Sequence, residues 1–435
     1  MKITNFQLAL LSVFVVFIVF GVLIFSGAIK IGEKKTSDLY QGKVVVWGTL
    51  PQDSVSDIFD SLEVKYDKLS IAYVKKNADT INSELAEAIA SGSGPDAFFV
   101  SNETLIPTSN KSYVVPFASF PIATYRSTFV EGAEIFLNSQ GVMAYPFTID
   151  PLVLYWNRDL FNKEGLVAPP KTWEEMYSYS EKLSKRTQTG VITQSAIALG
   201  GYSNIKNAKD IISMLFLQSG TSIVATGSDG SYVSTLNSYL PGTKIKPAES
   251  ALRFYTEFAN PTSKYYSWSA SLTNSYDSFV SGKLAMYIGY SSEIYGIRDR
   301  NPNLNFDITN VPQLEGATKP VTFGKIYGVS VSKSSKNLNS ALLVAQTLSS
   351  KESVAFISAK SLTLPVRREL LVSVPDDPYK NYFYQSALLA KSWLDPAPFQ
   401  TNTIFASMIS DTTSGFLSLS ETISKASDSL SKLLK

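Results

Sequence analysis

The stretch from Gly141 to Met176 constrains the fold more than any other part of the sequence. Its first apolar run ends in Tyr145-Pro146-Phe147 and is followed by an acid-proline pair, Asp150-Pro151. A second run, Leu152 to Trp156, is rich in β-branched and aromatic residues. The second run predicts a buried strand. Thr172-Trp173-Glu174-Glu175 has the pattern of a capping box, with a hydroxyl at the N-cap and a carboxylate three residues later. This pattern fits a segment that leaves one lobe and starts another, and it also fits a strand-loop-helix unit inside one domain.

Strand and helix patterns alternate in the part of the chain before this stretch. The strands are predicted at Lys43–Gly48, Ile71–Val74 and Asp96–Val100, and the helices at Asp53–Tyr66 and Thr80–Ser91. Such alternation predicts a parallel sheet with helices on both faces. Ligands of these sheets bind beyond the carboxyl ends of the strands, so Trp47, Asn102 and Glu103 are candidate ligand contacts.

The part of the chain after Lys185 repeats this pattern. A strand at Ala196–Leu199 precedes a glycine-rich turn that bears Tyr202, and the turn fits a ligand contact or a plain surface loop. Trp268 lies in a loop and fits a stacking platform or a core residue. A helix stopped by Gly282 leads into a strand that ends just before Tyr290. Near the C-terminus, Tyr379–Leu394 is predicted to be helical.

The composition excludes several classes of chemistry. The sequence has no histidine and no cysteine, which removes imidazole bases, Cys-His and Ser-His catalysis, most zinc sites, disulfides and lipid attachment through cysteine. A net charge of +2 argues against a nucleic-acid partner. We therefore predict no metal, no cofactor and no nucleic acid. The aromatic content of 12% suits stacking against ring-shaped ligands.

The N-terminus carries an apolar segment without charged residues, Phe6 to Ile29. About 20 apolar residues span a bilayer, whereas the apolar region of a secretory signal has about 7–15, so an uncleaved anchor is favoured. Ser26 and Ala28 leave open a signal cleaved after Ala28. The flanking lysines by themselves would keep the main body in the cytoplasm, because more of them follow the segment than precede it.

Several motifs, in this order along the chain, are similar to those of one known family. They are Gly92-Ser93-Gly94-Pro95-Asp96, Tyr145-Pro146, Pro169-Pro170-Lys171-Thr172-Trp173-Glu174-Glu175, the run from Ser278 to Gly289, and the run from Phe323 to Val331. The chain resembles the extracellular solute-binding proteins of ABC transporters, in the maltose-binding-protein-like branch of family 1.

The resemblance implies an α/β, periplasmic-binding-protein-like fold of two lobes with interleaved chain crossings, preceded by an N-terminal transmembrane helix. The expected divisions are a membrane anchor and tether (1–37), lobe 1 (40–149 plus 325–372) and lobe 2 (152–322 plus 378–435). The chain would cross between the lobes near residues 149–152, 322–325 and 372–378. Asp150, Gly324 and the Leu371–Pro375 segment should then lie together at one hinge.

The implied function is that of the extracytoplasmic binding component of an ABC importer, a membrane-anchored monomer that passes a sugar-like solute to permease subunits. Glu103 and Asp150 fall on positions where the family uses acidic residues to accept sugar hydroxyls, and Tyr290 falls near a family tryptophan. From the residues alone, Glu103 equally fits a solvated charge and Asp150 a carboxylate that caps a turn. The full set of expected ligand contacts is Trp47, Asn102, Glu103, Tyr145, Asp150, Tyr202, Trp268, Tyr290 and Tyr327.

The chain departs from the family at several ligand positions. Leu50, Pro51 and Gln52 stand where an acid and a lysine are usual, and Thr104 stands where an arginine is usual. Maltose specificity is therefore not expected to carry over. We expect Asp150 and Tyr290 to face water when the cleft is open. The alternative functions are a membrane-anchored, carboxylate-based glycoside hydrolase, for which no paired-acid motif is present, and a sensory receptor on the same fold.

Overall fold

A computed structural model describes residues 39–227, 230–373 and 377–435, together with Val13, Phe14 and Ile18. Within these residues, no helix is both long enough and apolar enough to cross a bilayer. The predicted anchor, Phe6 to Ile29, lies outside the described residues except at those three positions. Residues 374–376 of the predicted third crossing also lie outside them.

The strands are numbered in chain order. They are β1 Gly42–Gly48, β2 Leu69–Lys75, β3 Ala97–Ser101, β4 Val115–Pro116, β5 Gly141–Val142, β6 Tyr145–Asn157, β7 Lys185–Arg186, β8 Ile192–Ile197, β9 Val224–Thr226, β10 Tyr232–Ser234, β11 Leu284–Tyr290, β12 Phe306–Thr309, β13 Thr322–Val331, β14 Leu364–Pro365 and β15 Ala390–Lys391.

Helices occupy most of the sequence between the strands. The α-helices are Ser56–Lys65, Ile81–Ala90, Leu105–Thr108, Ile122–Thr128, Arg158–Lys163, Trp173–Leu183, Ala208–Gln218, Pro247–Glu257, Ser275–Val280, Glu293–Arg300, Leu338–Leu348, Lys351–Ser361, Arg368–Leu371, Pro378–Leu389, Pro398–Thr413 and Leu419–Leu433.

One large mixed sheet organises the molecule, with the strand order β2-β1-β3-β13-β6-β11-β8-β7. The strands β1, β2 and β3 are mutually parallel, as the alternating pattern predicts. The strand β13 is antiparallel to both of its neighbours, β3 and β6, although it comes much later in the sequence. This late strand therefore completes a sheet that the first part of the chain begins.

The longest strand, β6, pairs with different partners along its length, and all of its residues are buried. From Tyr145 to Pro151 it pairs with β13, and from Leu152 to Asn157 it pairs with β11 and β12. Pro151 lies opposite Gly324 at the changeover. A proline has no N–H to donate, so the ladder is weakest there. Asp150 lies opposite Lys325, beside the Pro151–Gly324 pair, so Asp150 and Gly324 lie close together.

Several local predictions are confirmed. Thr172 accepts a hydrogen bond from the backbone N–H of Glu175, and the Glu175 carboxylate accepts from the backbone N–H of Thr172, which completes the capping box. Gly282, where the sequence places a helix stop, has φ +73°, a conformation that side chains other than glycine rarely adopt. The predicted helix from Tyr379 to Leu394 is too long, because it ends at Leu389 and β15 then pairs with β13.

Candidate functional site

A cavity of about 340 Å³ opens where the carboxyl ends of β3 and β8 face each other across the sheet. Glu103 follows β3 and Lys325 lies on β13, and these two residues form one side of the cavity. The other side is formed by Tyr202 from the loop after β8 and by the first turn of helix Ala208–Gln218. Asn402, on helix Pro398–Thr413, completes the rim.

Five charged side chains of alternating sign lie in and beside this cavity. The Lys209 ammonium is 2.7 Å from Asp395 Oδ2 and 3.3 Å from Glu103 Oε1. The Lys325 ammonium is 3.9 Å from both Glu103 Oε2 and Asp210 Oδ2. We refer to Asp395, Lys209, Glu103, Lys325 and Asp210 as the charged row. Each buried charge in it has a partner of opposite sign, which is the condition for burying charges at tolerable free energy.

The neighbours of each group decide its protonation. Burial alone would raise the pKa of Glu103, but the ammonium groups of Lys325 and Lys209 prevail and hold that pKa below its usual value. Burial raises the pKa of Asp210, and Lys325 offsets only part of this rise. For Lys209, burial acts to lower the pKa, but Asp395 and Glu103 raise it overall. The row therefore presents an ionised Glu103 beside a protonated Lys209.

Three tyrosines among the predicted contacts border the charged row. The Tyr290 hydroxyl donates to Asp210 Oδ2 at 2.6 Å, and the Lys325 ammonium lies 5.2 Å from the centroid of its ring. The Tyr202 hydroxyl donates to Asn402 Oδ1 at 2.7 Å. Tyr327, on β13, has a pKa raised to about 12 because it is buried, although Lys325 opposes the rise. Glu103 and these three tyrosines are thus brought together.

Asp150 is enclosed by protein groups rather than open to the cavity. Its Oδ1 accepts from the Ser291 hydroxyl at 2.7 Å and from the Ser292 N–H at 3.1 Å, and its Oδ2 accepts from the Ser292 hydroxyl at 2.6 Å. Asp150 and Tyr290 are only 7% and 6% exposed, in contrast to the solvent-facing side chains expected from the sequence. Asp150 therefore ties β6 to the end of β11 at the changeover of strand partners.

The other predicted contacts are engaged elsewhere. Trp47 is covered by the Lys76 ammonium, 3.8 Å from its ring centroid, and Tyr145 stacks on Phe120. Trp268 is fully buried, and its Nε1 donates to Asn204 Oδ1 at 3.0 Å. None of these three aromatics lines the cavity.

Asn102 lies next to Glu103 and makes one contact to the opposite side. Its backbone carbonyl accepts from the Asp395 N–H at 2.9 Å. Its side-chain Oδ1 is buried and has no hydrogen-bond partner among the described residues. Asn102 is therefore a further point at which the two sides of the cleft touch, besides the Glu103–Lys209 and Lys325–Asp210 ion pairs.

A carboxylate behind the cavity holds helix Ala208–Gln218 in place. Glu293 accepts from the Tyr287 hydroxyl at 2.6 Å and from Asn207 Nδ2 at 2.8 Å, and it pairs with Lys206 at 3.0 Å. Asn207 adopts a left-handed conformation, φ 63°, directly before the helix. Glu293 thus fixes the turn that delivers Lys209 and Asp210 to the charged row.

Sequence reasoning missed Lys209, Asp210, Asp395, Lys325 and Glu293 as site residues. Asp210 and Lys209 read as ordinary polar residues at the start of a helix, because their partners lie far away in the sequence. The one available signal was a Lys-Asp pair opening an otherwise apolar helix that follows a glycine-rich turn. A larger cavity of about 470 Å³ lies beside Ser291, lined by residues such as Tyr295, Leu362 and Tyr384. It contains none of the charged row.

Comparison with known proteins identifies the family. The profile of the bacterial extracellular solute-binding protein family matches residues 57–403. A galactooligosaccharide-binding protein of Bacillus subtilis is 26% identical over 198 residues, which is 46% of this chain and 43% of that protein. The match thus spans less than half the length of that relative.

Solved structures of sugar-binding proteins share the fold. A cyclo/maltodextrin-binding protein complexed with maltotetraose superposes with a TM-score of 0.72 and 18% identity, over 93% of this chain and 98% of the other. The sugar-binding protein MalE from Xanthomonas citri gives a TM-score of 0.73 with 17% identity, over 90% and 97% of the two chains. The predicted periplasmic-binding-protein-like α/β fold is therefore confirmed. The family and these neighbours are solute-binding proteins, not enzymes. The chain belongs to the family of bacterial extracellular solute-binding proteins.

Proposed function

We propose that this protein is the extracytoplasmic binding component of an ABC importer, and that it captures an oligosaccharide in the cleft beside the charged row. The observation that carries the proposal is the cavity itself, which is lined by the ionised Glu103 carboxylate and by Tyr202, with Tyr290 and Tyr327 beside the charged row. Carboxylates accept hydrogen bonds from sugar hydroxyls, and aromatic rings cover the apolar faces of sugars.

The proposed cleft lies between two lobes, residues 40–149 plus 325–372 and residues 152–322 plus 378–435. The change of partners along β6 supports this division, because residues up to Pro151 pair with β13 and residues from Leu152 pair with β11. The hydrogen-bonded pairing of β6 with β13 is weak at Pro151, which suits a hinge about which the two lobes rotate. One chain supplies both sides of the cleft, so we propose that the protein binds its solute as a monomer and then engages permease subunits.

The predicted contacts divide into two groups under this proposal. Glu103 accepts ligand hydroxyls, while Tyr202, Tyr290 and Tyr327 border the ligand. Asn102 shapes the rim. A supporting group acts from behind the cavity and consists of Trp47, Tyr145, Asp150 and Trp268. The ligands named for these related proteins, galactooligosaccharide and maltotetraose, favour an uncharged oligosaccharide over other solutes. The internally paired charges of the row also favour an uncharged ligand, since a charged one would disturb them.

Replacing Glu103 with alanine is expected to weaken oligosaccharide binding about tenfold to a hundredfold, because a charge-assisted hydrogen bond contributes about 1.5–3 kcal/mol. Isothermal titration calorimetry with a panel of galacto-, malto- and mannooligosaccharides measures the change. Glu87→Ala is the matched control, because Glu87 is an exposed glutamate on helix Ile81–Ala90. Equal affinities of Glu103→Ala and the parent would show that the ligand binds elsewhere. A parent protein that binds no member of the panel would overturn the oligosaccharide proposal.

We further propose that Phe6 to Ile29 anchors the protein in the cell membrane, with the body on the outer side. The length of this uncharged apolar segment supports an anchor. Detergent is then expected to be required to release the protein from washed membranes, whereas high salt or carbonate is not expected to release it. A mature protein that begins after Ala28 and is recovered without detergent would contradict the anchor and favour a cleaved signal.

A further inference from the structure

An ion pair links the two sides of the cleft through protein atoms alone. Lys209 belongs to helix Ala208–Gln218 in the proposed second lobe, and its ammonium lies 3.3 Å from Glu103 Oε1 in the proposed first lobe. The Asp395 N–H reaches the Asn102 carbonyl at 2.9 Å, and the Lys325 ammonium lies 3.9 Å from Asp210 Oδ2, so two further links lie beside the first. These links leave the cavity next to them open.

The second-lobe end of this ion pair is firmly held. Lys209 also lies 2.7 Å from Asp395 Oδ2, and the Asp395 carboxylate accepts from the Thr401 hydroxyl at 2.7 Å and the Ala397 N–H at 3.0 Å. The Lys209 and Asp395 side chains are 8% and 1% exposed. The Glu103 side chain is 26% exposed, so it is the accessible end of the pair. Because Lys209 is fixed, it can set the position of Glu103 without moving itself.

We propose that Lys209 is a latch that joins the two lobes before a ligand arrives and positions the Glu103 carboxylate for it. The inference rests on the two-lobe division in the proposed function. A binding protein whose competent, closed state is already populated binds more tightly, since apparent affinity scales with that population. The latch therefore determines how much of the ligand's binding free energy is needed to close the two lobes. One charge-assisted bond shifts such an equilibrium about tenfold to a hundredfold.

The test measures the distance between the lobes with no ligand added. The chain has no cysteine, so Ser93→Cys on the first lobe and Thr189→Cys on the second give two unique sites for fluorescent dyes. Both positions are exposed. In full-length protein in detergent micelles, single-molecule energy transfer should report a mainly closed population. Lys209→Met and Glu103→Gln should each move most molecules to a longer distance.

Two variants are needed because they differ in their risk of unfolding the protein. Lys209→Met leaves Asp395 buried without its cationic partner and so risks unfolding, whereas Glu103→Gln keeps the Lys209–Asp395 pair and removes the Glu103 charge, which faces Lys209 across the cleft and Lys325 on its own side. Lys185→Met is the control, because its 2.7 Å partner, Glu164, lies in the same lobe. It should keep the parent's distances.

Unchanged distances in Glu103→Gln, or a parent that is already as open as the variants, would overturn the latch. Because no sugar is added, this result is independent of the calorimetry. A shift in distance with no sugar binding would keep the latch and reject the oligosaccharide. Sugar binding without a shift in distance would keep the oligosaccharide proposal and reject the latch.

Discussion

Replacing Trp268 with alanine is expected to lower the free energy of unfolding by about 3–5 kcal/mol, as for other large-to-small changes at buried aromatic residues. The indole is fully buried, and its Nε1 bonds to Asn204. Its removal leaves a void and an amide oxygen without its donor. Gly201 packs so closely against the same ring that a Cβ added at this position would lie 3.2 Å from Trp268 Cδ1. The loop that carries Gly201 and Tyr202 would therefore also lose packing when the ring is removed. Urea denaturation measures the loss as a lower midpoint.

Two further variants test whether the loss of stability comes from the buried volume of the indole. Trp268→Phe keeps most of the volume and loses the hydrogen bond, so its loss of stability should be smaller. Phe399→Ala is the control, since Phe399 is 81% exposed and a change there should remain within about 0.5 kcal/mol. A Trp268→Ala protein with the parent's midpoint but no sugar binding would instead make Trp268 a ligand platform, the other interpretation of the sequence.

Stability is expected to fall as pH rises from 4 to 8 through the ionisation of Asp150. Burial raises the pKa of this carboxyl to about 6, although hydrogen bonds from Ser292 and Ser291 oppose the rise. The unfolded chain has the ordinary value of 3.8, so between these two values the folded state binds more protons. The stability contributed by the protonated form is therefore lost as pH rises through about 6. A shift of roughly two units corresponds to about 3 kcal/mol.

Asp150→Asn isolates this contribution. The asparagine oxygen can accept from Ser291 and from the Ser292 N–H, and its amide can donate to the Ser292 hydroxyl, so the packing is kept while the charge is removed. The stability of the variant relative to the parent should increase by about 2–3 kcal/mol between pH 4 and pH 8. Asp79→Asn, at an exposed turn, should show no such trend. Parallel pH profiles for Asp150→Asn and the parent would contradict an ionising, buried Asp150.

Short sequence patterns predicted these helix ends and this strand well, because each of these features depends on residues that are neighbours in the sequence. The capping box at Thr172, the glycine stop at Gly282 and the buried strand within β6 are set by residues a few positions apart. The end of helix Pro378–Leu389 was missed for the opposite reason. Its last predicted turn is replaced by pairing of Ala390 with Thr322, a tertiary contact that no local pattern contains.

The candidate site was only partly predictable, again because of distance along the chain. Glu103 was found because it follows a strand, and strand ends collect ligand contacts. Lys209 was missed because its carboxylate partners are 106 and 186 residues away. Trp268 was assigned to both core and cleft, since a lone tryptophan carries the same apolar surface in either place. Burial, which separates the two, is a property of the folded chain.

The position of β13 in the sheet has a consequence for biosynthesis. The strand lies between β3 and β6, and its Tyr327 pairs with Ser101 on one side and Thr148 on the other. The first half of the sheet therefore stays incomplete until Val331 has been synthesised, which at about 5–20 residues per second takes tens of seconds. Pairing over such separations is itself slow. A nascent chain built in this order therefore acquires its central strand only after most of the polypeptide exists.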